Sequence, residues 1–190
     1  MAEKYVDIDT LKYMLYDVHH LEQLLSRERF IDHDKESLDM FLDSVKEFAD
    51  RELFPYFKEM DEHPAYHKDG KVMVHDQVKT MMYQGGEMGI ISAPFDYKDG
   101  GMQIPLSTLT AATYILDAAN NHLPGYAGLT QGAAELIIHF ANKELNETYV
   151  PNMLSGQWGG TMCLTEPQAG SSLSDIVTKA TPTNKGFYKK

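Results

Sequence analysis

Apolar residues recur along this chain at two kinds of spacing, and the change between them falls near residue 156. In residues 10–25, Leu11, Met14, Leu15, Val18, Leu21, Leu24 and Leu25 lie three and four apart, which predicts one amphipathic helix with Asp7 or Asp9 as its cap. After the polar break SRERFIDHD, Asp34 is placed to cap a second helix, whose stripe is Leu38, Phe41, Leu42, Val45, Phe48 and Ala49. Pro55 is expected to kink or end that helix, because it lacks an N–H and its ring clashes with the preceding turn. Residues 61–71, DEHPAYHKDGK, read as a polar loop. A third helix is expected over 76–88, with Val78, Met81, Met82 and Met88 inward and Gly89 as its stop.

IISAPFDYKDGG then reads as a short apolar strand or extended piece entering a loop. Ser107 opens a fourth expected helix running through Ala119. A fifth covers 127–141, and its Ala, Leu and Ile content predicts deep burial. A sixth covers 143–154 with Leu145, Tyr149, Met153 and Leu154 inward, and Pro151 interrupts it or tightens its end. Beyond Gly156 the pattern turns strand-like in WGGTMCLT and DIVTKATP, with GFYKK as the start of a third strand. Five or six helices leading into strands predict a mainly α chain, an α-helical domain followed by the first strands of a β domain. The strand-like part covers about thirty residues, less than a sheet needs for independent stability, so the chain is expected to end inside that domain.

Composition narrows the classes. The 43% hydrophobic and 24% charged fractions suit a protein with a real core. Net charge is −11 and no basic stripe runs along the chain, which argues against nucleic acid. A substrate with one phosphate-bearing end needs only a local positive pocket and is compatible with that charge. No apolar run is long enough for membrane insertion. MAEKYVDIDT lacks the basic and apolar regions of a secretory signal, and the single cysteine, Cys163, has no intrachain disulfide partner; together these predict a reducing cytoplasm.

Most chemical motifs are missing. There is no Gly-x-Gly, Walker loop, Gly-x-Ser-x-Gly or His-Glu-x-x-His. His63 and His67 stand four apart near several acids, but Pro64 breaks the helix that would align them, and the segment reads as exposed polar loop. His139, within an apolar helix, reads as a hydrogen-bonded core or interface residue. Glu87, Glu135 and Glu144 read as solvated helix charges, and the methionines as core filler. Cys163, between Met162 and Leu164, is expected to be buried and unreactive.

One stretch carries more. Residues 164–176 read LTEPQAGSSLSDI: an apolar run, then Thr165-Glu166-Pro167, then Gly170-Ser171-Ser172. Taken alone, it reads as an ordinary turn with serine hydroxyls bonded to their own backbone. Taken with its flanks, it resembles the acyl-CoA dehydrogenase signature Thr-Glu-Pro-x-Ala-Gly-Ser-Asp. The upstream loop APFDYKDGG (93–101) is similar to that family's Pro-x-x-Tyr-x-Gly-Gly-like loop, and YVPNMLSGQWGGTMCLTEP to its approach to the signature. The similarity spans residues from about 35 to the end, and 5–25 look like the helical preface of larger members.

The resemblance implies a helical extension at 1–34, an α-helical domain at 35–156, and the start of a middle β-barrel domain at 157–190. It implies FAD as cofactor, with Met162, Cys163, Leu164, Thr165, Gly170 and Ser171 as cofactor-binding residues and Ser171 also touching acyl-CoA. The implied reaction is α,β-dehydrogenation of an acyl-CoA thioester: a carboxylate base takes the α-proton and the β-hydrogen leaves as hydride to the flavin. Electrons then pass to an electron-transferring flavoprotein. In the family the base is a glutamate of a C-terminal helical domain, and the full-length enzymes are homo-oligomers, dimers or tetramers. No position in residues 1–190 matches the base, so these residues alone are expected to be inactive. Leu106–Tyr114 and Tyr126–Gln131 are candidates for the rim of the acyl pocket. Ser172 departs from the usual Asp, and a hydroxyl accepts backbone N–H bonds more weakly. Glu166 is expected to turn away from the flavin, since a carboxylate against the ring would disfavour its reduced anion. Two other classes fit the same residues: an acyl-CoA oxidase or related flavin oxidase on this fold, and a non-catalytic helical interaction module.

Overall fold

A computed structural model describes residues 5–189; residues 1–4 of the expected preface and Lys190 of the last expected strand lie outside the described residues. The chain is mainly α. Its first segment is not one helix. Asp7 caps α1 (Ile8–Tyr13) by accepting from the Thr10 amide, a wide π turn follows at Met14–Val18, and His20 adopts a left-handed φ of 52° before α2 (Leu21–Leu25). The wide turn and the break let Leu15, Tyr16, Leu21 and Leu25 all reach the core, which a straight helix of that length could not do. Tyr16 donates to Asp39 at 2.9 Å and Lys12 pairs with Asp43 at 2.8 Å, fastening this preface to the next helix.

That helix, α3 (Lys35–Phe48), starts at a reciprocal cap in which Asp34 accepts from the Ser37 amide and the Ser37 hydroxyl meets the Asp34 amide. Its periodic residues Leu38, Leu42, Val45 and Phe48 are buried. Pro55 neither stops it nor bends it alone. The turn at Ala49–Leu53 widens to π geometry, a 3-10 turn carries Pro55 at Phe54–Tyr56, and the chain resumes as α4 (Phe57–Glu62). Two buried amide side chains serve carbonyls of the widened turn: Gln77 donates to Glu52 O at 3.2 Å and Asn120 to Leu53 O at 3.1 Å.

The expected loop at 61–71 is in part a hairpin. β1 (Tyr66–Lys68) pairs antiparallel with β2 (Lys71–Met73) across Asp69 and Gly70, which both take positive φ, the mark of a two-residue turn. α5 (Gln77–Glu87) ends with Gly89 at φ +77°, as the sequence predicts. IISAPF is not a strand: residues 90–94 form turns whose Ile90, Ile91 and Ala93 are buried. α6 (Leu106–Asn120) starts after Pro105, and Ser107 lies inside it instead of capping it. α7 (Pro124–Phe140) and α8 (Lys143–Leu154) are joined by Asn142, which caps α8 through the Leu145 amide. α3 packs on α6, and α7 packs on α5 and α8, around one core.

α7 is less buried than its composition predicts. Pro124, Ala127, Thr130 and Ala134 face inward, whereas Leu136 is 62% and Phe140 84% exposed. Hydrophobicity sets what a face can bury, and here no described element covers the outer face. His139 is exposed for the same reason, beside the Phe140 ring, and is not a core residue. In α8, Met153 and Leu154 are buried as expected, but Leu145 and Tyr149 are half exposed, and Val150 takes an inward position.

Among the described residues only short strands follow Gly156. WGGTMCLT is not paired, DIVTKATP contributes a 3-10 turn at Leu173–Asp175 and the two residues of β3 (Thr181–Pro182), and β3 pairs with β4 (Tyr188–Lys189). Among the described residues no helix is long and apolar enough to cross a membrane.

Candidate functional site

The motif segment leaves the helical body at a tight crossing. Gly156, at φ +74°, lies against the Met82 carbonyl of α5, where a Cβ would overlap that oxygen. Trp158 is held by its amide to Asn152 O at 3.0 Å, and its ring meets Tyr149 edge to face at 5.5 Å. Gly160 then rests between α7 and α8: a Cβ there would stand 2.6 Å from Ala133 Cβ and 2.8 Å from Met153 Cε. Its amide donates to the hydroxyl of fully buried Thr130 at 3.0 Å. A cleft of about 280 Å³ lies beside this point, lined by Met82, Tyr83, Tyr126, Thr130, Gly160 and Thr161.

From Thr161 to Thr165 the chain runs free. All five residues are exposed, and none makes a hydrogen bond, backbone or side chain, among the described residues. Cys163 is therefore exposed, against the expectation of burial, because no second layer of described residues lies over the run. Met162 and Leu164 are exposed at 59% and 42%. A row of unsatisfied amides and carbonyls beside apolar side chains and a threonine hydroxyl is an open edge, able to receive either another strand or the polar rim of a planar ligand.

The run ends in a two-residue turn. Glu166 and Ala169 exchange both backbone hydrogen bonds, at 3.0 and 3.1 Å, around Pro167 and Gln168. The Glu166 carboxylate points back into its own loop. It accepts from the Val177 and Thr178 amides, each at 2.9 Å, and from the Gln168 amide group at 2.6 Å. Hydrogen bonds from the Thr178 side chain and from the Val177 and Thr178 backbone hold its pKa down to about 2. Glu166 thus closes residues 167–176 into a loop, the structural role its chemistry predicts. Ser172 does not share that role: its hydroxyl, like that of Ser171, makes no hydrogen bond among the described residues, so these serines do not form the self-bonded turn either. No described residue crowds Gly170, where a Cβ would meet open space.

Because the folded pKa of Glu166 lies below the ordinary 4.5, its anchoring is complete above the ordinary value and is lost as pH falls through about 2. We expect protection of the Val177 and Thr178 amides against hydrogen exchange to be flat down to about pH 4 and to vanish toward pH 2, as linkage requires. Glu166→Gln should lower that protection and remove its acid transition. Unchanged protection in the variant would show that the carboxylate does not close the loop.

Elsewhere, the 93–101 loop is held from the preface. Arg29 pairs with Asp96 at 2.6 Å, Gln103 donates to Arg29 O at 2.8 Å, and His33 Nε2 lies 2.8 Å from Met102 O. Of the rim candidates, Leu106, Leu109, Gly128 and Gln131 meet in a groove of about 700 Å³, whereas Tyr126 and Thr130 face the smaller cleft. Among the described residues no group of three or more His, Cys, Asp or Glu is placed to hold a metal. Sequence reasoning reached Thr130 only as one of the rim candidates and missed its contact with Gly160, because a lone threonine thirty residues upstream gives no signal of that pairing.

Residues 35–157 match the acyl-CoA dehydrogenase N-terminal domain profile. The chain belongs to the acyl-CoA dehydrogenase family. Among curated relatives of this acyl-CoA dehydrogenase-family chain, a 3-methylmercaptopropionyl-CoA dehydrogenase of Ruegeria pomeroyi is 29% identical over 178 residues, covering 92% of this chain and 30% of that protein. A butyryl-CoA dehydrogenase of Syntrophomonas wolfei is 30% identical over 183 residues, covering 94% and 30%. The chain thus spans about 30% of the length of these curated relatives. The solved butyryl-CoA dehydrogenase of Megasphaera elsdenii superposes with a TM-score of 0.66 at 23% identity, over 82% of this chain and 39% of that one, a likeness of fold.

Proposed function

We propose that residues 1–190 are the helical entry portion of an FAD-dependent acyl-CoA dehydrogenase, which introduces an α,β double bond into an acyl-CoA thioester. In this reading residues 1–34 are an extension, 35–156 the helical domain and 157–190 the start of the middle β domain. The observation that carries it is the free run 161–165, which leads into the family's signature at Thr165. Its unpaired amides and the Thr165 hydroxyl match the acceptors and donors along the polar edge of an isoalloxazine, and the outward Met162, Cys163 and Leu164 offer surface beside it. Turning Glu166 inward keeps its charge off that edge. Gly170 has no neighbour among the described residues that requires a glycine, which suits a demand made by a ligand. The Ser171 hydroxyl, unbonded and exposed, is then free for the FAD diphosphate or acyl-CoA.

The run 161–165 would hold FAD, which would supply the acceptor for the hydride leaving the substrate's β-carbon. The described residues hold and orient, and residues 1–190 supply no base; the α-proton is taken by a carboxylate elsewhere in the intact polypeptide. The groove of Leu106, Leu109, Gly128 and Gln131 serves as rim for the acyl chain. Electrons leave to an electron-transferring flavoprotein, and the enzyme works as a cytoplasmic homo-oligomer.

The test uses the intact polypeptide. Thr165→Ala should weaken FAD retention by about tenfold, the value of one lost hydrogen bond. Ser171→Ala should raise the Kd for acyl-CoA by a similar factor. Cofactor content and acyl-CoA affinity both unaltered in the double variant would sink the reading. Rapid reoxidation by O2 with peroxide release would place the protein among the oxidases instead.

A further inference from the structure

The free run 161–165 hangs between two anchors, and only one belongs to the signature. The downstream anchor is Glu166 with its turn and its bonds to Val177 and Thr178. The upstream anchor is Gly160, whose amide donates to Thr130 Oγ1 at 3.0 Å. This is the last hydrogen bond before five residues that make none among those described. Thr130 is fully buried, and its hydroxyl spends its own proton on the Tyr126 carbonyl at 2.7 Å, so its oxygen is oriented to accept. Ala133 and Met153 close around Gly160, so the chain can lie this near α7 only without a side chain.

Resting on the flavin reading above, we infer that Thr130 is a positioning residue for the flavin edge. Acting through the Gly160 amide, it fixes where the 161–165 run leaves the helical body and which way it points. A ligand bonded to backbone groups of a run otherwise unsupported pays in affinity for any freedom at its origin. Without the Thr130 oxygen, the half-buried Gly160 amide loses its partner and the run loses its upstream hold.

FAD is titrated into the deflavinated intact polypeptide, following flavin fluorescence. Thr130→Val, which keeps the shape and removes the acceptor, should raise the FAD Kd by about tenfold. Thr130→Ser, which keeps the hydroxyl, should stay within about twofold, well under the 1.4 kcal/mol that a tenfold change represents. Leu42→Val, a core change in α3 away from the run, should leave the Kd unaltered although it lowers stability. If Thr130→Val binds FAD like the unaltered protein while Thr165→Ala does not, the positioning role fails and the flavin reading stands. If the unaltered protein binds no FAD, the flavin reading fails, and the role with it. A second measurement needs no variant. In flavin-free protein the Gly160 amide should exchange far more slowly than those of Thr161–Thr165, which become protected when FAD is added. Gly160 exchanging as fast as its successors would overturn the inference, even if Thr130→Val does not fold.

Discussion

Gly156→Ala is expected to lower stability by at least about 3 kcal/mol, the sum of a left-handed backbone forced on an L-residue and a backbone overlap. Gly156 holds φ at +74°, and its new Cβ would collide with the Met82 carbonyl oxygen of α5. Neither strain relieves the other. Rotating φ to an ordinary value swings the whole motif segment away from α7, and keeping φ drives the methyl into backbone, which cannot step aside as a side chain would. The facing surface is equally tight, since a Cβ on Gly86 would strike the Ser155 carbonyl. In a chain of this size the midpoint of thermal unfolding should fall by at least about 6 °C. Gly159→Ala provides the contrast: a Cβ there meets open space and φ is not positive, so its effect should lie within about 0.5 kcal/mol. Equal, small shifts for both variants would show that the α5–α8 crossing is looser than described.

Phe48→Ala is expected to cost about 3–5 kcal/mol, the range for deleting a buried aromatic from a core that collapses only partly. Phe48 is 1% exposed and closes α3 just before the widened turn, in the same core as Leu42, Leu53 and Ile115. Collapse is restricted there, because buried Asn120 and Gln77 hold the Leu53 and Glu52 carbonyls in place and fix the backbone beside the cavity. Chemical denaturation should show a lower midpoint with an unchanged slope. Phe140→Ala removes the same ring from an 84% exposed site and should change stability by less than about 0.5 kcal/mol. A large effect at Phe140 would mean that the outer face of α7 is covered in the folded protein.

Local chemistry was the readable part of the sequence. The caps at Asp7 and Asp34, the stripe of α3 and the stop at Gly89 each depend on a few neighbouring residues, and each stands as expected. Features that depend on partners were not readable. Residues 10–25 carry a continuous stripe, yet the backbone widens at Met14–Val18 and breaks at His20. α7 is apolar enough for a core helix, but composition does not say whether anything lies over its second half. WGGTMCLT has the composition of a strand, and an unpaired strand-like run is still only an extended run. The site divides the same way. The resemblance is the ground for proposing the 162–171 segment as the site, and the structural role expected of Glu166 is met by its bonds to the Val177 and Thr178 amides. The Thr130 contact needed the fold, since it joins positions thirty residues apart.

The widened turn at Ala49–Leu53 reaches beyond packing. It keeps Phe48 and Leu53 on the same inward side although five positions separate them, with Arg51 outside. An α-helix would have brought that side round again after three or four. Relative to a cousin with an unbroken helix, this chain therefore carries one surplus residue here, and homology matching that forbids a gap inside helices would slide everything from Phe54 to the next loop out of phase, pairing inward residues with outward ones.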